Sequence, residues 1–291
     1  MLGETIMKKI GLLIDSATDV PTEVLEDNEN IAMVPLTLSF GDQIYQDRIT
    51  IQPTEFYQKL AVTEELPKTA SPVIGSVIEK IQELKQRGFD EIIGITISAG
   101  LSITNQVFKQ AASEFTDLKI TIINTKSIGI GAGLFAVFAA DLIKSGLEYS
   151  KIINLLNASI AKSHVYFYIP TLKYLQAGGR IGKVTEILGS VLKIKPIISC
   201  NTDGIYYPIT KARSEAKAIE KMVQKVLQIA DAGSDFRIGV AHGADQPLMQ
   251  KIVARLKNEL SAGQKIYTTE VSPALGVHTG PGLVGIGIHC K

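Results

Sequence analysis

The stretch Ile92–Phe115, IIGITISAGLSITNQVFKQAASEF, limits the possible folds of this chain more than any other. It opens with a β-branched run (Ile92, Ile93, Ile95, Thr96, Ile97) and breaks at Ser98-Ala99-Gly100. Apolar residues then return at helical spacing at Val107, Phe108, Ala111, Ala112 and Phe115. That order reads as strand, tight loop and helix. A helix beginning near Ser102 turns unpaired backbone N–H groups and the positive end of its dipole toward the loop, which Ser98, Ser102, Thr104 and Asn105 surround. Such a loop can hold an anionic head group. Ser102 reads equally as a plain N-cap, and taken alone the stretch favours the cap.

The same alternation runs through the first half. A strand at Lys9–Ile14 leads through Asp15-Ser-Ala-Thr-Asp19 to a helix opened by Pro21. A second strand is expected near Ala32–Leu38, helices over roughly 53–61 and 73–87, a strand at Lys119–Ile123 and a long helix over 130–144. Strands alternating with helices predict a layered α/β unit with a mainly parallel sheet. Its strand ends at Asp15, Ser98 and Asn124 should share one edge, where open α/β sheets bind ligands. From about Ser163 the rhythm changes. Strands are expected at Val165–Ile169, Ile194–Cys200, Ile205–Ile209, Arg237–Ala241, Lys265–Thr269 and Leu283–Ile288, with helices at Ser214–Ile229 and Gln246–Leu260. Strands in direct succession predict a mixed or antiparallel sheet backed by helices. The expected organisation is therefore α/β in two domains, 1–160 and 161–291, and 291 residues suffice for two cores.

Charge narrows the function. With 30 basic against 29 acidic residues the net charge is +1, which gives no field for steering onto nucleic acid or an anionic membrane. No apolar run is long enough for a membrane span, so stable membrane insertion is not expected. The two cysteines, Cys200 and Cys290, have neither CxxC nor Cys/His spacing, which argues against a disulfide scaffold or a zinc site and suits a reducing cytoplasm. No metal and no cofactor is implied.

Among the shorter motifs, His278-Thr-Gly-Pro-Gly282 lies between two strand-like segments and offers His278 and Thr279 beside glycines that permit close backbone approach, though a turn would have the same composition. Thr69-Ala-Ser-Pro72 adds hydroxyls, or an N-cap. Gly129, Gly131 and Gly133 lack the third glycine of GxGxxG and the GK[ST] of a P-loop, so tight helix packing explains them better than a nucleotide. Gly178-Gly-Arg180 is a turn presenting a guanidinium, and Lys211 and Arg213 follow a strand. His242-Gly-Ala-Asp245 has no GxSxG partner to complete a hydrolase triad.

Taken in order, these motifs resemble the DegV family of bacterial fatty-acid-binding proteins over nearly the whole chain: Ile14-Asp-Ser16 with Asp19, Thr69-Ala-Ser-Pro72, Ile97-Ser-Ala-Gly-Leu-Ser102, Asn124-Thr-Lys-Ser127, Leu172–Ile181, Leu192–Ile197, Lys211-Ala-Arg213 and His278-Thr-Gly-Pro-Gly282. The resemblance implies a carrier, not an enzyme. It would hold one long-chain fatty acid with its carboxylate at the domain junction and its acyl chain in the second domain, and present it to a separate ATP-dependent fatty-acid kinase subunit for acyl-phosphate formation and phospholipid synthesis. It places the carboxylate on Thr69, Ser98, Ser102, His278 and Thr279, and partner contact on Arg180 and Arg213. Leu188, Val191, Leu192, Ile194, Ile197 and Ile198 are candidates for the tunnel. Ala99, Ile103, Asn105 and Ala70 depart from the family pattern, and a bulky Ile103 is expected to change the wall beside the head group. The alternative is a phosphotransferase-like enzyme acting on a small hydroxylated substrate through His278 or His242.

Overall fold

A computed structural model of the chain describes residues 9–187, 195–233 and 235–291. Strand β1 (Ile10–Asp15) passes through a 3-10 turn at Ser16–Thr18 into the short α1 (Thr22–Glu26) and β2 (Ile31–Val34). An excursion follows through β3 (Thr37–Phe40), β4 (Gln43–Gln46), α2 (Pro53–Val62) and β5 (Lys68–Ala70). Then α3 (Ile74–Gln86), β6 (Glu91–Thr96), α4 (Thr104–Ala112) and β7 (Lys119–Asn124) resume the alternation. Helices α5 (Ile130–Lys144) and α6 (Tyr149–Ser159) lead to β8 (His164–Tyr168), α7 (Lys173–Ala177), β9 (Lys195–Cys200), β10 (Tyr206–Ala212) and α8 (Glu215–Ala232). The chain ends with β11 (Phe236–Gly243), α9 (Gln246–Glu259), β12 (Ile266–Glu270), α10 (Pro273–Thr279) and β13 (Leu283–Cys290).

Among the described residues the strands form three sheets, ordered β2-β1-β6-β7, β10-β9-β8-β13-β11-β12 and β4-β3-β5. The first is parallel throughout and the second is mixed, with only β11 and β12 parallel, as the two sequence rhythms imply. The order of the parallel sheet reverses at β1, so a crevice forms beyond the carboxyl ends of β1 and β6. Asp15 stands at that point and accepts the Ile97 N–H at 2.8 Å, tying the two strand ends together.

Helix α5 positions the two larger sheets. Its residues Ile130–Ala140 are all buried, as expected of a helix that is apolar on every side, and it packs on β1 and β6 as well as on β8, β11 and β13. The glycines at its start are packing residues. A Cβ on Gly131 would lie 2.6 Å from Val165 Cβ, and one on Gly133 would lie 2.5 Å from the Thr18 carbonyl oxygen. The hydrophobic core consequently runs without a break from β1 and β6 through α5 to Val165, Phe167 and Leu283 of the mixed sheet.

Two elements depart from the expectation. The small antiparallel sheet lies outside the expectation, because its strands are only three or four residues long and too short to show a period, and it moves Thr69 from a helix cap onto a strand paired with Leu38. The segment before Gly280 is a helix, α10, and not a strand. Ser272 caps it by accepting the Leu275 N–H, Pro273 occupies its first turn, and His278 and Thr279 are its last residues.

Candidate functional site

The crevice is closed by loops from both halves of the chain. After β6 the backbone turns sharply, with Leu101 and Ser102 N–H both directed to the Ser98 carbonyl, and Ser102 then places its hydroxyl 2.8 Å from that of Thr104 at the start of α4. The Ser102 hydroxyl also accepts the Thr104 N–H at 3.2 Å, so this serine steadies the start of α4, whose N-cap is Ile103, and still faces the crevice. Asn124 buttresses the loop from β7 by accepting the N–H groups of Ala99 and Lys126.

Across the crevice, α10 brings His278 to β5. The Thr69 hydroxyl lies 2.7 Å from His278 Nε2, while Nδ1 is buried with no hydrogen-bond partner among the described residues. Gly178, at the end of α7, lies against that ring, since a Cβ there would fall 2.1 Å from Nδ1. The following turn is held by Arg180 Nη1 donating to the Gly178 carbonyl at 2.8 Å. Burial, helped by the Arg180 charge, pushes the His278 pKa down to about 4, so the imidazole is neutral at pH 7.

These groups line a cavity whose polar wall is Thr69, Ser71, Ser102, Arg180 and His278. A second, narrow cavity lies beside it, walled by aliphatic and aromatic groups such as Ile130, Val165, Phe167 and Leu283. Ile128, Tyr206 and Leu275 belong to both walls, so the polar and apolar spaces are adjacent. Each cavity takes walls from both halves of the chain, so the apolar space lies between the two larger sheets and not within the second half alone. A groove of about 1050 Å3 on the outer side shares Thr69, Arg180 and His278 with the polar cavity and adds Glu65 and Lys68.

Of the residues expected at a head group, Thr69, Ser102 and His278 stand together. Ser98 is fully buried away from the cavity, donating to the Gly204 carbonyl at 2.8 Å and accepting the Gly100 N–H at 3.0 Å. It fastens the β9–β10 turn to the β6–α4 loop. Thr279 donates to the Leu275 carbonyl at 3.0 Å and borders the apolar cavity instead. Arg180, expected only at a partner surface, is on the polar wall, whereas exposed Arg213 is on neither wall. Ile103 is 62% exposed and turned to solvent, so Leu101 and Ser102, not Ile103, make the wall beside the head group. Asn105 is buried and donates to the Thr96 hydroxyl at 2.8 Å.

Ile197 and Ile198 of β9 are core residues off the cavity wall, and Leu188, Val191, Leu192 and Ile194 lie outside the described residues. His242 is buried on β11 away from both cavities, and Asp245 caps α9 by accepting the Leu248 N–H at 3.1 Å. Sequence reasoning missed Ser71, Tyr206 and Leu275. Ser71 carried a signal, being the second hydroxyl of Thr69-Ala-Ser-Pro72, whereas Tyr206 and Leu275 reach the site only through sheet and helix packing. Among the described residues no helix is long and apolar enough to cross a membrane, and no group of three or more acidic, histidine or cysteine side chains is placed to hold a metal.

The comparisons agree with this geometry. A DegV domain-containing protein of Clostridium acetobutylicum is 35% identical over 285 residues, covering 98% of this chain and all of the relative. The crystal structure of DegV from Bacillus subtilis, described as a fatty acid binding protein, superposes with a TM-score of 0.89 at 28% identity, covering 98% of this chain and 100% of that one. A stearic acid-binding protein from Eubacterium ventriosum gives a TM-score of 0.88 at 26% identity, with coverage of 98% and 99%. The family model described as "Uncharacterised protein, DegV family" matches residues 9–291, the span over which the ordered motifs run and both cavities are built, and the chain belongs to that family.

Proposed function

We propose that this chain binds one long-chain fatty acid, carboxylate in the polar cavity and acyl chain in the apolar one, and acts as a carrier without catalysis of its own. The observation that carries the reading is the shared wall of Ile128, Tyr206 and Leu275, which joins a cluster of hydroxyls, imidazole and guanidinium to a narrow hydrocarbon-lined space. That is the division of polarity in a fatty acid. The fatty acid bound by the Eubacterium ventriosum relative supports it.

The two ends do different work. Burying each methylene contributes about 0.8 kcal/mol, so a chain with about fourteen of them gives on the order of 11 kcal/mol before ordering costs. A hydrogen bond to a carboxylate adds about 1.5–3 kcal/mol, which fixes which end enters. Thr69 suits this role because its hydroxyl can donate to the carboxylate while accepting from a neutral His278 Nε2–H. Arg180 at the mouth supplies the positive charge.

The outer groove that shares Thr69, Arg180 and His278 would let a separate ATP-dependent kinase reach the carboxylate for acyl-phosphate formation, and the absence of a GK[ST] loop in this chain fits a kinase that is a separate subunit. Arg180 and Arg213 are the contacts we assign to that partner. Mass spectrometry of an organic extract of the purified protein tests the carrier reading. A stoichiometric fatty acid is expected; an empty extract together with no uptake of added palmitate or oleate would overturn it.

A further inference from the structure

The wall of the apolar cavity contains one carboxylate, Asp19. Asp19 follows the Ser16–Thr18 turn and is 1% exposed, and its backbone is left-handed with φ 48°. Its Oδ1 is fully engaged, accepting from Arg48 Nη2 and from the Ser272 N–H, both at 2.9 Å. Its Oδ2 is buried and has no hydrogen-bond partner among the described residues. This oxygen borders the hydrocarbon space beside Gly129 and Leu275, because a Cβ built on Gly129 would fall 3.1 Å from it and 3.3 Å from Leu275 Cδ1. Gly129 and Leu275 are themselves wall residues.

A buried acceptor with no donor is costly, and an unbranched acyl chain offers it nothing. A chain bearing a hydroxyl at the matching depth would supply the missing donor. Asp19 is on the wall of the apolar cavity and not on that of the polar cavity, so the matching position is along the chain and away from the carboxylate. Building on the carrier reading above, we propose that Asp19 Oδ2 is a specificity contact for hydroxylated acyl chains, accepting a hydrogen bond from a hydroxyl set part-way along the fatty acid. The contact is selective in sign as well as position. Burial raises the Asp19 pKa and the Arg48 charge opposes that rise; in the ionised form the carboxylate accepts only, so a ketone at the same carbon, which also only accepts, is disfavoured.

The test is competition of stearate, its monohydroxy positional isomers and the corresponding oxo acids against labelled stearate on the full chain. One hydroxy isomer should bind at least about tenfold tighter than its positional neighbours and than its own oxo counterpart. In Asp19→Asn the donors on Arg48 and Ser272 hold the amide oxygen on their side and place the NH2 where Oδ2 stood, so the preference at that carbon should reverse toward the oxo acid. If this variant does not fold, the positional series on the unaltered chain decides. A flat series, or an oxo acid that binds as well as its hydroxy partner, overturns the proposal and leaves Oδ2 to a bound water. Stearate binding with a flat hydroxy series would sink this inference alone, whereas failure of stearate and of every isomer to bind would sink the carrier reading.

Discussion

Thr69 and His278, 209 residues apart, meet at 2.7 Å between a strand of the small sheet and the last turn of α10. Among the described residues neither side chain has another hydrogen-bond partner, so each fixes the other's orientation at the polar end of the cavity. Thr69→Val and His278→Ala should each weaken fatty-acid retention roughly tenfold to a hundredfold. The double variant should lose less than the sum by about 1 kcal/mol, because the two act as one unit. His278→Gln, which keeps a neutral donor, should restore part of the loss. Additive losses in a calorimetric or competition assay would show that the pair does not act together.

Gly178 offers a way to move His278 without replacing it. Its φ of −80° is open to any residue, but a Cβ would fall 2.1 Å from His278 Nδ1. Gly178→Ala should therefore reproduce the retention loss of His278→Ala while changing stability by no more than about 1 kcal/mol. Gly179→Ala is the control. There φ is 67° and nothing lies within 4 Å, so it should cost about 1 kcal/mol of stability and leave retention intact. Equal retention in both variants would argue against a role for the ring's position.

The contrast between these two glycines was not legible in the sequence, where Gly178-Gly-Arg180 is only a turn. The strands and helices of the first half were legible, because β-branched runs such as Ile92–Ile97 and the wholly apolar α5 carry their own periodicity. Helix α10 was not. Its Ser272-Pro273 start is a helix signal, but Gly276 breaks the pattern, and that glycine is required because a Cβ would lie 2.4 Å from Phe56 Cε1. Strand β5 has three residues, too few to show alternation, and only Thr69 among them favours a strand, so its placement beside His278 depends on pairing with β3. In the sequence Ser98 and Ser102 differ only in that Ser102 stands at a helix start, and both are candidates for the head group. Burial separates them, and it is decided by the β9–β10 turn more than a hundred residues away.

That separation predicts opposite phenotypes. Ser98→Ala removes the donor to the buried Gly204 carbonyl and the acceptor for Gly100 N–H, so it should cost about 1–3 kcal/mol in urea unfolding with retention within about twofold. Ser102→Ala loses a half-buried hydrogen bond from the Thr104 N–H worth about 1 kcal/mol and should weaken retention about tenfold. A large retention loss in Ser98→Ala with little unfolding cost would place that hydroxyl on the ligand after all.

Burial also sets a pH dependence. Desolvation raises the Asp15 carboxyl from 3.8 to about 7, against the lowering effect of the Ile97 N–H. The folded protein then holds a proton that the unfolded chain releases between about pH 4 and pH 7, so this residue's contribution declines as pH rises through that window and is lowest above it. His278 and His289, pushed down to about 4 and about 3 mainly by burial, have the opposite sign and mask the effect in the parent protein. Asp15→Asn isolates it. Relative to the parent, the variant should gain stability by up to about 4 kcal/mol between pH 4 and pH 8, and a difference that does not change with pH would contradict the burial argument.

The length of the acyl chain should be adjustable from β13. Gly285 is on the wall of the apolar cavity, and the nearest atoms a Cβ there would meet are Phe167 Cβ at 3.4 Å, the Tyr166 carbonyl at 3.6 Å and Leu283 Cδ2 at 3.9 Å, all ordinary contacts. Gly239 and Gly287 differ, since a side chain on either would run into Ile130 or into the backbone of Gly131. Gly285→Leu therefore should fold, with stability unchanged or raised by the loss of a strand glycine, and its four added carbons should occupy space otherwise taken by the ligand. At about 0.8 kcal/mol per methylene, displacing about four of them should weaken the longest acids roughly hundredfold, while acids about four carbons shorter keep their affinity. A uniform loss across all chain lengths would mean that the hydrocarbon does not pass Gly285, and a stable variant with no change at any length would place the acyl chain outside this cavity.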